Sequence, residues 1–203
     1  MKILGLTGPS GAGKGAAAAI FAKYGIPTVD TDAVYHALLA AGGAMTAELT
    51  EAFGKDILDA GGRVDRKRLG GVVFGKENTP ALLHILNAIT HKYVVKRTRE
   101  LLAEFRAAGA RAAIIDAPQL FEAELEKDCD IVIGVLACRD IRLARIPQRD
   151  GITREAALKR MDAQRPDAFF RENCHIILQN DSDTAALEAQ IRTFLKNSEI
   201  GES

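Results

Sequence analysis

Gly8-Pro9-Ser10-Gly11-Ala12-Gly13-Lys14-Gly15 carries the spacing G-x-x-x-x-G-K. Glycines at 8, 11 and 13 put no Cβ in the path of a tight turn, so successive backbone N–H groups can converge on one anion. Lys14 adds a point charge suited to the β- and γ-phosphates of a nucleoside triphosphate. Gly8, Gly11, Ala12, Gly13, Lys14, Gly15 and Ala16 are therefore the candidate phosphate cradle. A serine or threonine ordinarily follows the lysine and places its hydroxyl on Mg²⁺. Gly15 and Ala16 supply no hydroxyl here. The plain alternative is a strand-to-helix turn that is only glycine-rich.

Two further sets of residues could act on a phosphate. Carboxylates at the ends of apolar runs form the first: Asp30 and Asp32 after Ile26-Pro27-Thr28-Val29, and Asp116 after Ala112-Ala113-Ile114-Ile115. Groups at the carboxyl ends of parallel strands line the ligand crevice of an open sheet. Asp116 in that position can hold Mg²⁺ through water. Asp32 could instead only cap a helix beginning at Ala33. Arginines form the second set, spread from Arg139 to Arg165. Arg142, Arg145 and Arg149 have 3–4 spacing and share one helix face. Guanidinium forks match phosphate oxygens, so a movable basic helical pair over the loop would make a lid at 139–165. A solvated face paired with Asp140, Asp150 and Glu155 is the alternative.

The elements that must position these groups read as follows. An apolar strand at Ile3–Leu6 feeds the loop, and an alanine-rich helix from about Ala16 leaves it, stopping at Tyr24-Gly25. Ile26–Asp32 is a short second strand. From Ala33 to about Gly109 the pattern is helical and broken by glycine turns, with apolar faces at Val34, Leu38, Leu39 and at Leu49, Phe53, Ile57, Leu58. Asp65 starts a helix, and Leu82 to Phe105 forms one long amphipathic helix or a kinked pair. Residues 33–109 are thus expected to be an inserted helical substrate-binding subdomain of a single 1–203 domain. Its nucleotide-binding core is then 1–32 with 110–203. Strands at 112–116, 130–136 and 175–178 complete a five-stranded parallel sheet flanked by helices, an α/β architecture. Asp183 to Lys196 is a closing amphipathic helix, and Gly201-Glu202-Ser203 should fray.

Length and composition bound the rest. A chain of 203 residues with 47% hydrophobic and 27% charged residues is an ordinary globular one. Its formal net charge is zero, so no bulk field favours nucleic acid or a membrane surface. The three cysteines make an odd, widely separated set beside strands, read as small apolar residues in a reducing compartment. No apolar run reaches membrane-spanning length, and Met1-Lys2 leads straight into a strand; a cytoplasmic protein is expected.

With these pieces placed, the chain resembles the dephospho-CoA kinase family of P-loop kinases over nearly its whole length. The motifs are Val29-Asp30-Thr31-Asp32, Phe53-Gly54-Lys55-Asp56-Ile57-Leu58, Val64 to Leu69, Ile89-Thr90-His91 and Pro118-Gln119-Leu120-Phe121-Glu122. Arg145-x-x-x-Arg149-Asp150, the 152–164 run through Arg160-Met161-x-x-Gln164, and Ile177-Leu178-Gln179-Asn180 complete them. The resemblance implies transfer of the γ-phosphoryl of ATP, with Mg²⁺, to the ribose 3′-hydroxyl of dephospho-CoA, the last step of coenzyme A synthesis. It implies that Asp32 accepts the hydroxyl proton, that Lys14, Arg145 and Arg149 are catalytic cations, and that Asn180 lies on the adenine side. Asp32, His36, His91 and Asp116 form the implied substrate side, and Asp32 with Asp116 the metal side, with phosphates and water as the main ligands. ATP and dephospho-CoA are the expected partners; the chain is read as a monomer or homo-oligomer.

Several positions depart from the family pattern. Lys14-Gly15-Ala16 replaces Gly-Lys-Ser-Thr at the loop end, which brings the loop closer to those of cytidylate and adenylate kinases. His36 stands where the family often has arginine, and Lys92 replaces a proline. Gln119 interrupts Pro-Leu-Leu, and Cys174-His175 replaces Ala-Asp. A nucleoside monophosphate kinase and a non-catalytic nucleotide- or CoA-binding paralogue are the alternatives.

Overall fold

The computed structural model describes residues 1–75, 79–198 and 200. β1 (Lys2–Thr7) leads through the glycine loop into α1 (Lys14–Lys23), then β2 (Thr28–Asp30). Among the described residues α2 (Thr31–Ala41), α3 (Ala44–Phe53), a 3₁₀ turn (Lys55–Ile57), α4 (Arg66–Phe74) and α5 (Thr79–Ala107) follow. β3 (Ala112–Asp116), β4 (Ile131–Leu136), α6 (Arg139–Asp150), α7 (Arg154–Asp162), α8 (Asp167–Asn173), β5 (Ile176–Gln179) and α9 (Thr184–Asn197) complete the order. The expected tail fraying at 201–203 lies outside the described residues.

The five strands form one sheet in the order β2-β3-β1-β4-β5. β1 pairs in parallel with β3 and β4, and β4 with β5. Register matters for the chemistry, because Leu6 lies opposite Asp116 and Thr7 opposite Gly134. The continuous apolar strands suit a sheet covered by helices. On one face Leu4, Leu6, Ile114, Ile133, Val135 and Leu178 pack with Ala17, Ile20 and Phe21 of α1. Leu187, Ile191, Phe194 and Leu195 of α9 join the same core. Phe21 and Phe194 meet edge to face, with ring centroids 6.1 Å apart, a favoured aromatic arrangement.

The chain divides into two compact units, one of Met1–Val29 with Leu102–Ser203 and one of Asp30–Leu101. From Thr31 on, the described residues of the second are helical apart from turns and an isolated antiparallel bridge between Leu58 and Val64. Its own core contains Leu39, Met45, Leu49, Ile57, Leu69, Val73 and Ile89. Asp65 does start α4, accepting hydrogen bonds from the Lys67 and Arg68 amides. The 82–105 pattern is a single 29-residue helix rather than a kinked pair.

One boundary moves with consequence. The second strand ends at Asp30 rather than Asp32, and Asp30 is the N-cap of α2. Its Oδ1 accepts from the Asp32 and Ala33 amides at 2.9 and 3.0 Å. A cap carboxylate satisfies amides that have no partner inside the helix, so Asp30 takes the capping role. Asp32 is thereby left exposed in the first turn.

Candidate functional site

The loop between β1 and α1 is shaped by close approach. Gly8 has φ 145°, and a Cβ there would lie 2.2 Å from the Val135 carbonyl oxygen. Gly13 has φ 103°, and a Cβ would lie 2.0 Å from Asn180 Nδ2. Only glycine fits either place without moving backbone or a buried amide. Gly13 is also the N-cap of α1, with no side-chain cap and no acidic residue in the first turn. The helix therefore brings the positive end of its dipole to the loop with no side-chain cap on its first-turn amides, an arrangement that favours an anion. Its alanine-rich sequence makes the helix intrinsically favourable.

Lys14, on the first turn, places Nζ 3.2 Å from Asp116 Oδ1 at the end of β3. Both side chains are mostly buried, at 17% and 13% exposure. β1 and β3 are neighbours, so parallel pairing delivers the lysine and the carboxylate to the same edge of the sheet. Asn180 follows β5 and is 6% exposed. Its amide donates to the Ala12 carbonyl at 2.8 Å, which ties the loop to the far strand.

The basic helix α6 meets the same loop. Arg145 donates to the Asn180 carbonyl at 3.2 Å, with a longer 3.5 Å contact to the Gly11 carbonyl. Arg149 donates to Ser10 Oγ at 3.2 Å and to both oxygens of Asp150. Arg160 of α7 also pairs with Asp150. The charge-pairing alternative therefore describes Asp150, while the inner arginines turn to the loop. Arg142, on the same face, is only 6% exposed. Its Nε donates to the Ser10 carbonyl at 2.9 Å, Nη2 to Gln164 Oε1 and Nη1 to Asp167. Burial pulls the pKa of its guanidinium down, with Asp167 opposing that effect. Sequence spacing put Arg142 on the right face but carried no signal for its partner; Gln164 was visible only as part of a motif.

Asp32, His36 and His91 belong to the helical unit. Asp32 and His36 are exposed and one turn apart on α2, whereas His91 is half-buried on α5.

Nucleophilic thiol chemistry is disfavoured. Burial pushes Cys129 up to about 12 and Cys174 up to about 11, so their thiolates are scarce near neutrality. Cys138 is exposed at the N-cap of α6, not apolar filling, and a hydrogen bond with Asp181 raises its pKa.

Among the described residues no group of three or more His, Cys, Asp or Glu side chains is placed to hold a metal ion. Mg²⁺ that keeps several waters and binds phosphate oxygens asks for only one or two carboxylates. Asp116 beside Lys14 meets that need, so the donor set fits a hydrated, phosphate-bound ion and not a protein cage. Gly15 leaves open space: a Cβ there would meet nothing within 4 Å. Among the described residues no helix is long and apolar enough to cross a membrane.

Comparison with known proteins agrees with this geometry. The dephospho-CoA kinase family model matches residues 2–186. A dephospho-CoA kinase from Paramagnetospirillum magneticum is 42% identical over 84% of this chain and 78% of its own length. One from Anaeromyxobacter dehalogenans is 39% identical, with 96% and 91% covered. Among solved structures, TT1252 from Thermus thermophilus superposes with a TM-score of 0.79 at 30% identity, covering 97% of each chain. A shikimate kinase from Bacteroides thetaiotaomicron, at 15% identity, covers 98% of each chain with a TM-score of 0.52 and shares the fold alone. A phosphate loop on a five-stranded parallel sheet, a lysine–aspartate pair at the neighbouring strand end and sequence identity along most of the chain converge: this chain belongs to the dephospho-CoA kinase family, a family of kinases.

Proposed function

We propose that the protein transfers the γ-phosphoryl group of ATP to the ribose 3′-hydroxyl of dephospho-CoA, giving coenzyme A and ADP. The observation that carries this reading is the Lys14–Asp116 pair beside the uncapped start of α1, within a chain of this family.

Phosphoryl transfer asks a protein mainly for positioning and neutralisation of charge on the phosphate oxygens. The loop amides and the α1 N-terminus bind the phosphates, and Lys14 leaves its contact with Asp116 to reach the β- and γ-oxygens. Arg145 and Arg149 of α6, already turned toward Ser10, Gly11 and Asn180, add cationic cover, with 139–165 acting as the lid. Asp116 would hold Mg²⁺ through water; that ion neutralises phosphate charge when bound. Asp32, exposed on α2, accepts the proton of the ribose hydroxyl. His36 and His91 sit on the acceptor side, and Asn180 borders the adenine.

The test is a coupled ADP-release assay with MgATP, comparing dephospho-CoA with CMP, UMP and AMP as acceptors and using Lys14→Ala as the control. Turnover on dephospho-CoA alone is the expected result, with Lys14→Ala lower by roughly 10²–10³-fold, the scale of losing one preorganised charge donor. Turnover on a nucleoside monophosphate would replace the reading by a nucleotide kinase. ATP binding with no turnover on any acceptor would mark a non-catalytic paralogue.

A further inference from the structure

A guanidinium buried as deeply as that of Arg142 is costly unless its donors are matched. Among the described residues its carboxylate partner is Asp167, itself 42% exposed, so the ion pair explains the burial poorly. Arg142 Nε donates to the phosphate loop and Nη2 to Gln164. Gln164, in the connection between α7 and α8, uses one oxygen twice: Oε1 accepts from the Ser10 amide at 3.0 Å and from Arg142 Nη2 at 3.2 Å. Both backbone groups of Ser10 are thus held, its N–H by Gln164 and its carbonyl by Arg142 Nε. A separate observation points the same way. A Cβ on Gly11 would lie 3.0 Å from the Arg142 carbonyl oxygen and 2.9 Å from Ile146 Cγ1, so the α6 backbone rests directly against the loop.

We propose that Arg142 and Gln164 are positioning residues for nucleotide binding, a clamp on the Ser10 peptide that sets the shape of the phosphate loop. The clamp touches no substrate atom and acts through Ser10. With Ser10 N–H turned to Gln164, the amides that follow are the ones presented to phosphate. The clamp also makes loop shape depend on where α6 and the α7–α8 connection sit, so the arginines of α6 and the loop are set together. This inference rests on the kinase reading for its consequence, although nucleotide affinity tests it whatever the acceptor is.

Removing buried Arg142 can unfold the α6–α8 segment, so half-buried Gln164 carries the test. Gln164→Leu removes the shared acceptor, and Gln164→Glu keeps an oxygen for both donors. MgADP affinity is measured by calorimetry without acceptor, alongside the melting temperature of each variant. Gln164→Leu is expected to weaken MgADP about tenfold, the scale of losing one or two net hydrogen bonds, with the melting temperature within a few degrees of the parent. Gln164→Glu is expected to restore affinity to within about threefold. In the full reaction the KM for ATP rises by the same factor, while that for dephospho-CoA moves less than about twofold. Unchanged MgADP affinity in Gln164→Leu overturns the clamp. So does a loss that tracks melting temperature, or a Glu variant no better than Leu. A clamp that passes by calorimetry in an enzyme inactive on dephospho-CoA overturns the functional reading instead.

Discussion

Asp150 pairs with two arginines, Arg149 of α6 and Arg160 of α7. Hydrogen bonds from Arg149 and its charge, then the hydrogen bond and charge of Arg160, hold the Asp150 carboxyl down at about 2. A carboxylate depressed in the folded state adds stability above its unfolded value, about 3.9, and loses it as pH falls through the folded value. Melting temperature should therefore drop between roughly pH 4 and pH 2 partly through this group. Asp150→Asn should lower it at neutral pH and flatten that acid limb; parallel limbs in both proteins would remove Asp150 from the account. Gly15 poses the opposite problem, a missing group with room for it. Gly15→Ser needs no backbone adjustment, so it should lower the Mg²⁺ concentration for half-maximal turnover. An unchanged requirement would mean that Asp116, water and phosphate already complete the ion's shell.

Helix burial decides stability at the scale of elements. α1 and α9 lie on one face of the sheet through Ile20, Phe21, Leu187, Ile191 and Phe194. Phe21 is fully buried and meets Phe194 edge to face. Phe21→Ala should cost about 3–5 kcal/mol of unfolding free energy, a lost aromatic plus the cavity it leaves. Phe74 at the end of α4 is 61% exposed, and Phe74→Ala should stay within about 0.5 kcal/mol of the parent. Urea titrations of the two variants measure both. α6 combines two roles, because its inner face meets the phosphate loop through Arg142, Arg145 and Arg149 as well as packing Leu143 and Ile146.

For the whole molecule, the two compact units divide the proposed labour. Residues that shape the phosphate site, from Gly8 to Lys14 with Asp116, Arg145, Arg149 and Asn180, belong to one unit; Asp32, His36 and His91 belong to the other. Asp32→Asn should therefore cut kcat by roughly 10²–10⁴-fold, the range for a general base. The same change should leave ATP affinity within about twofold. Rapid-mix turnover and calorimetry on one preparation separate the two effects. Equal loss in both would recast Asp32 as a structural residue of α2.

The amino-acid sequence by itself determined the phosphate loop, the parallel strands, the 65–74 helix and its aspartate cap, and the helical character of the stretch from Ala33 to about Gly109. Each of these is written in neighbouring residues: glycine where φ is positive, β-branched runs for buried strands, and apolar spacing near 3.6 for helices. Tertiary structure alone decided which donor meets which acceptor. Asn180 holds the Ala12 carbonyl across 168 positions, Arg142 and Gln164 close on Ser10, and Lys14 finds Asp116. Those pairings follow from strand register and from how α6 seats on the loop, and no local spacing encodes either one. The same reason moved the cap of α2 from Asp32 to Asp30: the last residue of β2 is set by pairing within the sheet, and the helix begins where that pairing ends.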